Sequence, residues 1–330
     1  MNARKVLEMG GGTLLVSLPK DWARRNGVGK GDTLDVSEFT GRSLIVRPVQ
    51  DMEDRPREFV VGYPGEDFGQ VSNDVTGAYL LGYDTIKVQG KRRISTEDRE
   101  RLKETIRRLI GLEIMEEDSK KMTLQFLIDP SAIVPEKTVR RMSGILEGML
   151  RDMSEALTEG DGKLMALVSE RDDEVDRLYF LLVRATRAAV TRPDVTQRYG
   201  LTSVDLLDYR VLASFLESIG DAVGEFSRLA QNGGVPTQLL GEYSACALKL
   251  AEMNDLATQA FLSRRAGRPR STNSKVSEMA HTIAGQISGL ANVEGGRTAV
   301  AIGINSAVQR VSALIVDVSD LAVIAQPVSD

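Results

Sequence analysis

Leu206-Leu-Asp-Tyr-Arg-Val-Leu-Ala-Ser-Phe-Leu-Glu-Ser-Ile-Gly-Asp-Ala-Val-Gly-Glu-Phe226 decides the fold class. Stepping about 100° per residue, Phe215, Ile219, Val223 and Phe226 point one way, while Glu217 and Asp221 point nearly the opposite way. This is an amphipathic helix with a wet acidic face. From Pro135 onward the same periodicity recurs in six segments, near 135–159, 162–191, 203–231, 236–263, 273–291 and 298–324. Short gaps bearing Gly or Pro separate them, such as Gly160-Asp-Gly162, Asn232-Gly-Gly-Val-Pro236 and Gly295-Gly296. Gaps this short imply antiparallel neighbours, and six helices divide naturally into two three-helix bundles. Aromatic residues supply only 5% of the chain while Leu, Ala, Val and Ile abound, which suits helix bundles better than β-sandwiches. The fold class is therefore mainly α.

Upstream of the helices the pattern changes twice. Residues 57–130 alternate strand and helix: Glu58–Val61, a helix over Asn73–Leu81, Thr85–Val88, a helix over Thr96–Ile110, Glu113-Ile114 and Met122–Ile128. This predicts a small α/β domain, joined through the charged linker 51–57 to a β-rich head over residues 1–50. In the head, Gly12–Leu18, Thr33–Ser37 and Arg42–Arg47 read as strands, with one short helix over Pro19–Asn26 that stops at Gly27. About 50 residues with so few apolar groups make a poor solitary core. No cysteine and no metal-ligand set is present there to staple it, so a partner chain is expected. Gly10-Gly-Gly12 lacks the Lys and Ser/Thr of a phosphate loop and precedes a strand, so no nucleotide site is read from it.

Charge is unevenly spread. The chain carries a formal −5, but residues 1–50 hold eight Lys/Arg against five Asp/Glu, leaving −8 on the rest. A basic head on an acidic body points to an anionic partner for the head. Met1–Val6 leads into Glu8 and glycines without the apolar stretch of a signal peptide, and the apolar run Thr298–Gln309 is far shorter than a membrane span. A cytoplasmic protein without membrane insertion is expected. Cys246, the one cysteine, lies in an apolar helical stretch and reads as a buried thiol. His281, the one histidine, reads as structural, and without a nucleophile–base pair or a cleft motif no enzyme is expected.

The head string Gly12-Thr-Leu-Leu-Val-Ser-Leu-Pro-Lys-Asp-Trp22, followed by Gly31-Asp32 and by Ser43-Leu-Ile-Val-Arg-Pro48, resembles the SpoVT-AbrB family. The resemblance implies a swapped hairpin in which two chains interleave, a homodimer, and DNA binding. Arg4, Lys5, Lys20, Arg24 and Arg25 are the candidates for phosphate contact, since cations grouped at the start and around one helix can track a backbone. In the body, Asp172 with Asp176, and Glu217 with Asp221, stand four residues apart. That spacing stacks like charges on one helical stripe, a repulsion that a divalent cation with oxygen ligands would relieve. Here residues 135–325 resemble the PhoU family, "Leu216-Glu-Ser-Ile-Gly-Asp221" most of all, and the resemblance implies one surface carboxylate cluster for a divalent metal of unspecified identity. Tyr79-Leu-Leu-Gly-Tyr-Asp84 resembles members with an AbrB-type head.

Aligning the halves of the bundle sets Asn273, Ser277, Gln309 and Ala313 opposite the four carboxylates, so the second half should hold no cluster. Arg264-Arg-Ala-Gly-Arg-Pro-Arg270 reads as a basic loop between helices, with a Gly-Arg-Pro centre similar to an AT-hook as the alternative. The resemblances together imply a homodimeric transcriptional regulator of phosphate uptake. The alternative is a regulator that binds no DNA and acts on a phosphate transporter's ATPase or a sensor kinase.

Overall fold

The computed structural model describes residues 3–39, 43–49, 56–65, 67–264 and 269–322. The chain divides into two compact units, Met1–Pro56 and Arg57–Asp330.

In the first unit, β1 (Val6–Met9) pairs antiparallel with β2 (Thr13–Val16), a strand more than the pattern predicts. Gly11 and Gly12, at φ +94° and +84°, make the turn between them, which only glycine enters without strain. The short helix α1 (Lys20–Arg25) follows, with Pro19 at its N-cap, one place before the expected N1. Then β3 (Leu34–Phe39) pairs antiparallel with β4 (Ser43–Pro48), Leu34 opposite Pro48. None of the described side chains of this unit is buried. Val6, Leu7, Met9, Leu14, Leu15 and Val16 are all exposed, so both faces of the β1–β2 ribbon stay wet, and Leu14 and Leu44 reach 69%. Each such side chain forgoes about 1.5–3 kcal/mol of burial.

The second unit opens with β5 (Glu58–Tyr63), α2 (Phe68–Leu80), β6 (Thr85–Gly90), α3 (Thr96–Arg107), β7 (Leu112–Glu117) and β8 (Lys121–Phe126). The sheet order is β5-β6-β8-β7, parallel between β5 and β6 and antiparallel elsewhere. Helix α2 begins five residues before the expected Asn73 because the Asp67 carboxylate accepts the Gln70 amide at 2.8 Å and caps it. Ser95 caps α3 in the same way.

The helices are α4 (Pro135–Glu159), α5 (Gly162–Glu170), α6 (Asp172–Thr191), α7 (Pro193–Tyr199), α8 (Ser203–Gly233), α9 (Leu240–Ser263), α10 (Pro269–Leu290) and α11 (Ala299–Asp320). The segment expected as one helix over 162–191 is two. Arg171 breaks it, held by an ion pair to Asp152 of α4, and Asp172-Asp-Glu174 start afresh at a new helix N-terminus, where acids are favoured. α4, α6 and α8 form one bundle and α9, α10 and α11 the other, and the two share one continuous core through α4 against α9 and α8 against α11. α11 has the length and composition to cross a membrane, more than its first half suggested, but it sets Ile304, Val308, Val311 and Ile315 into the bundle core. Cys246 is buried, which pushes its thiol up to about 11.

The α/β layer has its own core, and α6 closes it with Leu181 and Ala185. Beside them Arg184 is only 1% exposed. Its guanidinium donates to the carbonyls of Tyr79 (2.6 Å) and Tyr83 (3.0 Å) at the end of α2 and lies 3.7 Å from the centre of the Phe126 ring. Burial lowers its pKa to about 10, so it stays charged. Arg184→Ala leaves two carbonyls short of a charged donor and opens a cavity under the sheet. Loss of about 2–4 kcal/mol is expected in urea unfolding, with the helical content of the native state kept.

Candidate metal centre and head surface

Asp172 and Asp176 lie one turn apart at the start of α6, and Glu217 and Asp221 one turn apart on α8, which runs beside it. One oxygen each from Asp172, Asp176 and Asp221 lies within 4.8 Å of the other two. Oxygens bound to one calcium-sized ion at about 2.4 Å stand at most about 4.8 Å apart, so the three fit one coordination sphere. Glu217 flanks them closely enough that Asp221 and Asp176 both raise its pKa, after burial.

Two glycines make the approach possible. A Cβ on Gly220 would come 2.8 Å from Asp172 Oδ1, and one on Gly224 would come 3.3 Å from Asp172 Oδ2. The Asp172 carboxyl is thus pressed against the backbone of α8, where Oδ1 is buried without a hydrogen-bond partner. Such an oxygen is costly to leave unmade. Arg108, the C-cap of α3, pairs with Asp176, and Arg228 lies on the Asp172 side, 3.3 Å from where a Gly224 Cβ would stand. The donors are all carboxylate oxygens, a set that suits a hard divalent cation.

Burial first, then the neighbouring Asp221 and Asp176, push the Asp172 carboxyl up to about 7, against the pull of Arg228. Asp176 is also raised, by burial, although Arg108 pulls it down. A carboxyl whose folded pKa lies above its unfolded value disfavours the folded state once it ionises. Stability from this site should therefore fall as pH climbs from about 4 to about 7 and level off above. Asp172→Asn removes the effect. In the presence of a chelator, the melting temperature of the variant should gain on that of the wild type between pH 5 and pH 8; a constant difference would mean that Asp172 titrates as an ordinary surface acid.

The helical wheel places the four carboxylates on the outside of the bundle. Asp221 is exposed, but Asp172, Asp176 and Glu217 are half-buried, because α6 packs its first turn against glycines and α3 brings Arg108 over the top. In the second half, Gln309 and Ala313 line a cavity of about 300 Å³ with His281, Ala284 and Ser312, and no carboxylate is among its lining residues. His281 is exposed, its Nδ1 2.7 Å from the Ser277 carbonyl.

In the head, Arg4, Lys5, Lys20, Arg24 and Arg25 are all exposed. Arg24 is paired with Asp21 one turn earlier, and no ion pair involves the other four among the described residues. The AT-hook alternative loses its first arginine. Arg264 is 5% exposed, ion-paired to Asp205 at 3.1 Å and packed 3.7 Å from the centre of the Phe261 ring, so it ties α9 to α8 and cannot enter a groove. Residues 265–268 lie outside the described residues. Sequence reading missed Arg108, Gly220 and Gly224. The Gly-x-x-x-Gly spacing opposite an acidic helix start was a usable signal for the glycines; nothing local marked Arg108.

The described residues form a small β head with no buried side chain, followed in the chain by an α/β layer and a helical body with an acidic cluster. Residues 139–230 match the PhoU domain family, and residues 9–54 match the family described as antidote-toxin recognition MazE, bacterial antitoxin. The chain thus joins a MazE/AbrB-like N-terminal domain to a PhoU domain. The PhoU match runs from within α4 to within α8 and ends at Ala230, before the half whose aligned positions, 273, 277, 309 and 313, carry no carboxylate. No curated protein and no solved structure matches the chain.

Proposed function

We propose that the protein is a homodimeric, cytoplasmic transcriptional regulator of phosphate uptake, gripping DNA with its head and sensing through the metal-binding face of its PhoU domain. The observation that carries this reading is the joining, in one chain, of a MazE/AbrB-like head whose apolar strands are unburied and a PhoU domain. Two heads would bury those strands against each other and double the number of exposed cations presented to a DNA backbone. Arg4, Lys5, Lys20, Arg24 and Arg25 would contact phosphates, Arg24 at the cost of its pairing with Asp21. Asp172, Asp176 and Asp221, with Glu217 alongside, would hold one divalent ion.

The description of the head family, antidote-toxin recognition, favours a second reading in which the head engages protein rather than DNA and the body acts on a transporter ATPase or sensor kinase. Titration of genomic DNA fragments at several salt concentrations separates the two. Under the first reading, binding weakens steeply with salt, and Lys20→Glu with Arg25→Glu lowers the salt slope by about 0.9 for each DNA phosphate that is no longer neutralised. Binding that is absent at low salt, or whose slope the double variant leaves unchanged, refutes DNA binding through this face.

The metal reading has its own test. Elemental analysis of purified protein should find a divalent metal that Glu217→Gln with Asp221→Asn removes while circular dichroism stays unchanged. Metal retained by that double variant would mean that it is bound elsewhere.

A further inference from the structure

Arg108 belongs to one part of the second unit and reaches another. Its backbone is held in the α/β layer: its amide donates to the Thr105 carbonyl at 3.2 Å at the end of α3, the following Leu109 is buried in the core of the layer, and Gly111, at φ +82°, turns the chain into β7. Its side chain crosses to α6, where it pairs with Asp176 and lies 5.8 Å from the centre of the Phe180 ring. It thus places a positive charge on one of the three carboxylates that converge.

The two partners are not alike. The Arg108 side chain is 51% exposed and that of Asp176 only 15%. Arginine can therefore swing into water at little cost, whereas the carboxylate stays where it is and needs another cation when arginine leaves. Asp172 strengthens that need, because its Oδ1 is buried and unpartnered beside Gly220 and no side chain in the cluster supplies it with a proton donor. A divalent ion between the three oxygens would serve Asp172, Asp176 and Asp221 together, while Arg108 serves Asp176 alone.

We infer that Arg108 is a tethered cation that competes with the metal ion for Asp176, so that filling the site releases the end of α3 from α6. The inference rests on the metal reading of this cluster. By linkage, whatever factor Arg108 takes from the affinity of the ion, the ion takes from the Arg108–Asp176 pairing. Release should be local, since Arg184, two turns further along α6, bonds to the end of α2 and takes no part in the cluster. The α3–β7 turn thereby becomes the segment that reports the ion. It lies in the layer whose first strand, β5, directly follows the linker from the head.

Calorimetric titration of metal-free full-length protein with calcium chloride, and separately with manganese chloride, tests this. Arg108→Gln should tighten binding by about two- to fivefold, the range that a partly exposed ion pair supports. Arg108→Lys, which keeps a mobile cation, should stay near the wild type, and Arg107→Gln, with the same change of net charge one residue away, should tighten it far less. Hydrogen exchange gives a second readout: amides 108–112 should exchange faster on adding the ion to the wild type, and should already be fast in Arg108→Gln. Unchanged affinity in Arg108→Gln with a binding wild type overturns the competition while leaving the metal site standing. Weaker binding in Arg108→Gln overturns it in favour of a role in which arginine positions Asp176. Absence of binding in every form overturns the site and the competition together.

Discussion

Helix α6 must satisfy two cores at once, and the rest of the second unit is arranged around that demand. Val175, Leu178 and Leu182 enter the bundle core, while Leu181 and Ala185 enter the core of the α/β layer. On a helical wheel these positions span a broad apolar arc rather than a narrow stripe, which leaves the acids at 172 and 176 on one margin and Arg184 on the other. Both margins carry charges that the packing half or wholly buries. One is met by backbone carbonyls and aromatic rings, the other by glycines and a foreign arginine. Helix α6 thereby links the bundle to the layer, with Ile110 packing against both cores beside it.

How much of this was legible follows from how local each signal is. Helix limits were readable because caps and breakers act within four residues: Gly160, at φ +70°, ends α4, and Thr202 with Asp205 opens α8 as a capping box. The same locality explains the misses. β1 is four residues long and lies before a glycine turn, so its only support is the pairing with β2, which the residues of Val6–Met9 do not advertise. The break at Arg171 rests on an ion pair with Asp152, nineteen positions earlier. Arg184, a buried charge in the middle of an apolar helix, contradicts its own residue type until Tyr79, Tyr83 and Phe126 surround it.

The acidic cluster shows the same division. Spacing of four residues identified the carboxylates on each helix, since that is a property of one helix alone. Their depth was not readable, because it depends on how closely two helices approach, and that is set by Gly220 and Gly224 on the partner helix. A wheel treats the side away from the core as solvent, but here that side of α6 faces α3, whose terminal arginine replaces water at Asp176. Half-burial is what separates this cluster from an ordinary wet acidic face: carboxylates in free water repel one another weakly, whereas Asp172 is pushed up to about 7.

The head and the acidic cluster face opposite problems of the same kind. In the head, the described apolar side chains of β1 and β2 lie in water because the two-stranded ribbon has no second layer of its own to cover them. At the cluster, the Asp172 Oδ1 lies out of water because the fold covers it, and a proton or a cation relieves that. Each site leaves one kind of group unmet, exposed apolar side chains in the head and a buried, unpartnered carboxylate oxygen at the cluster. Arg108 is a partial answer at the second site, since it neutralises Asp176 and leaves Asp172 with an unpartnered oxygen. A fully satisfied cluster would have no reason to bind anything, and a fully bare one would repel the helices that carry it. The intermediate state has one acid paired and another held against glycine backbone, and an ion, on the metal reading, would meet the need that Arg108 leaves.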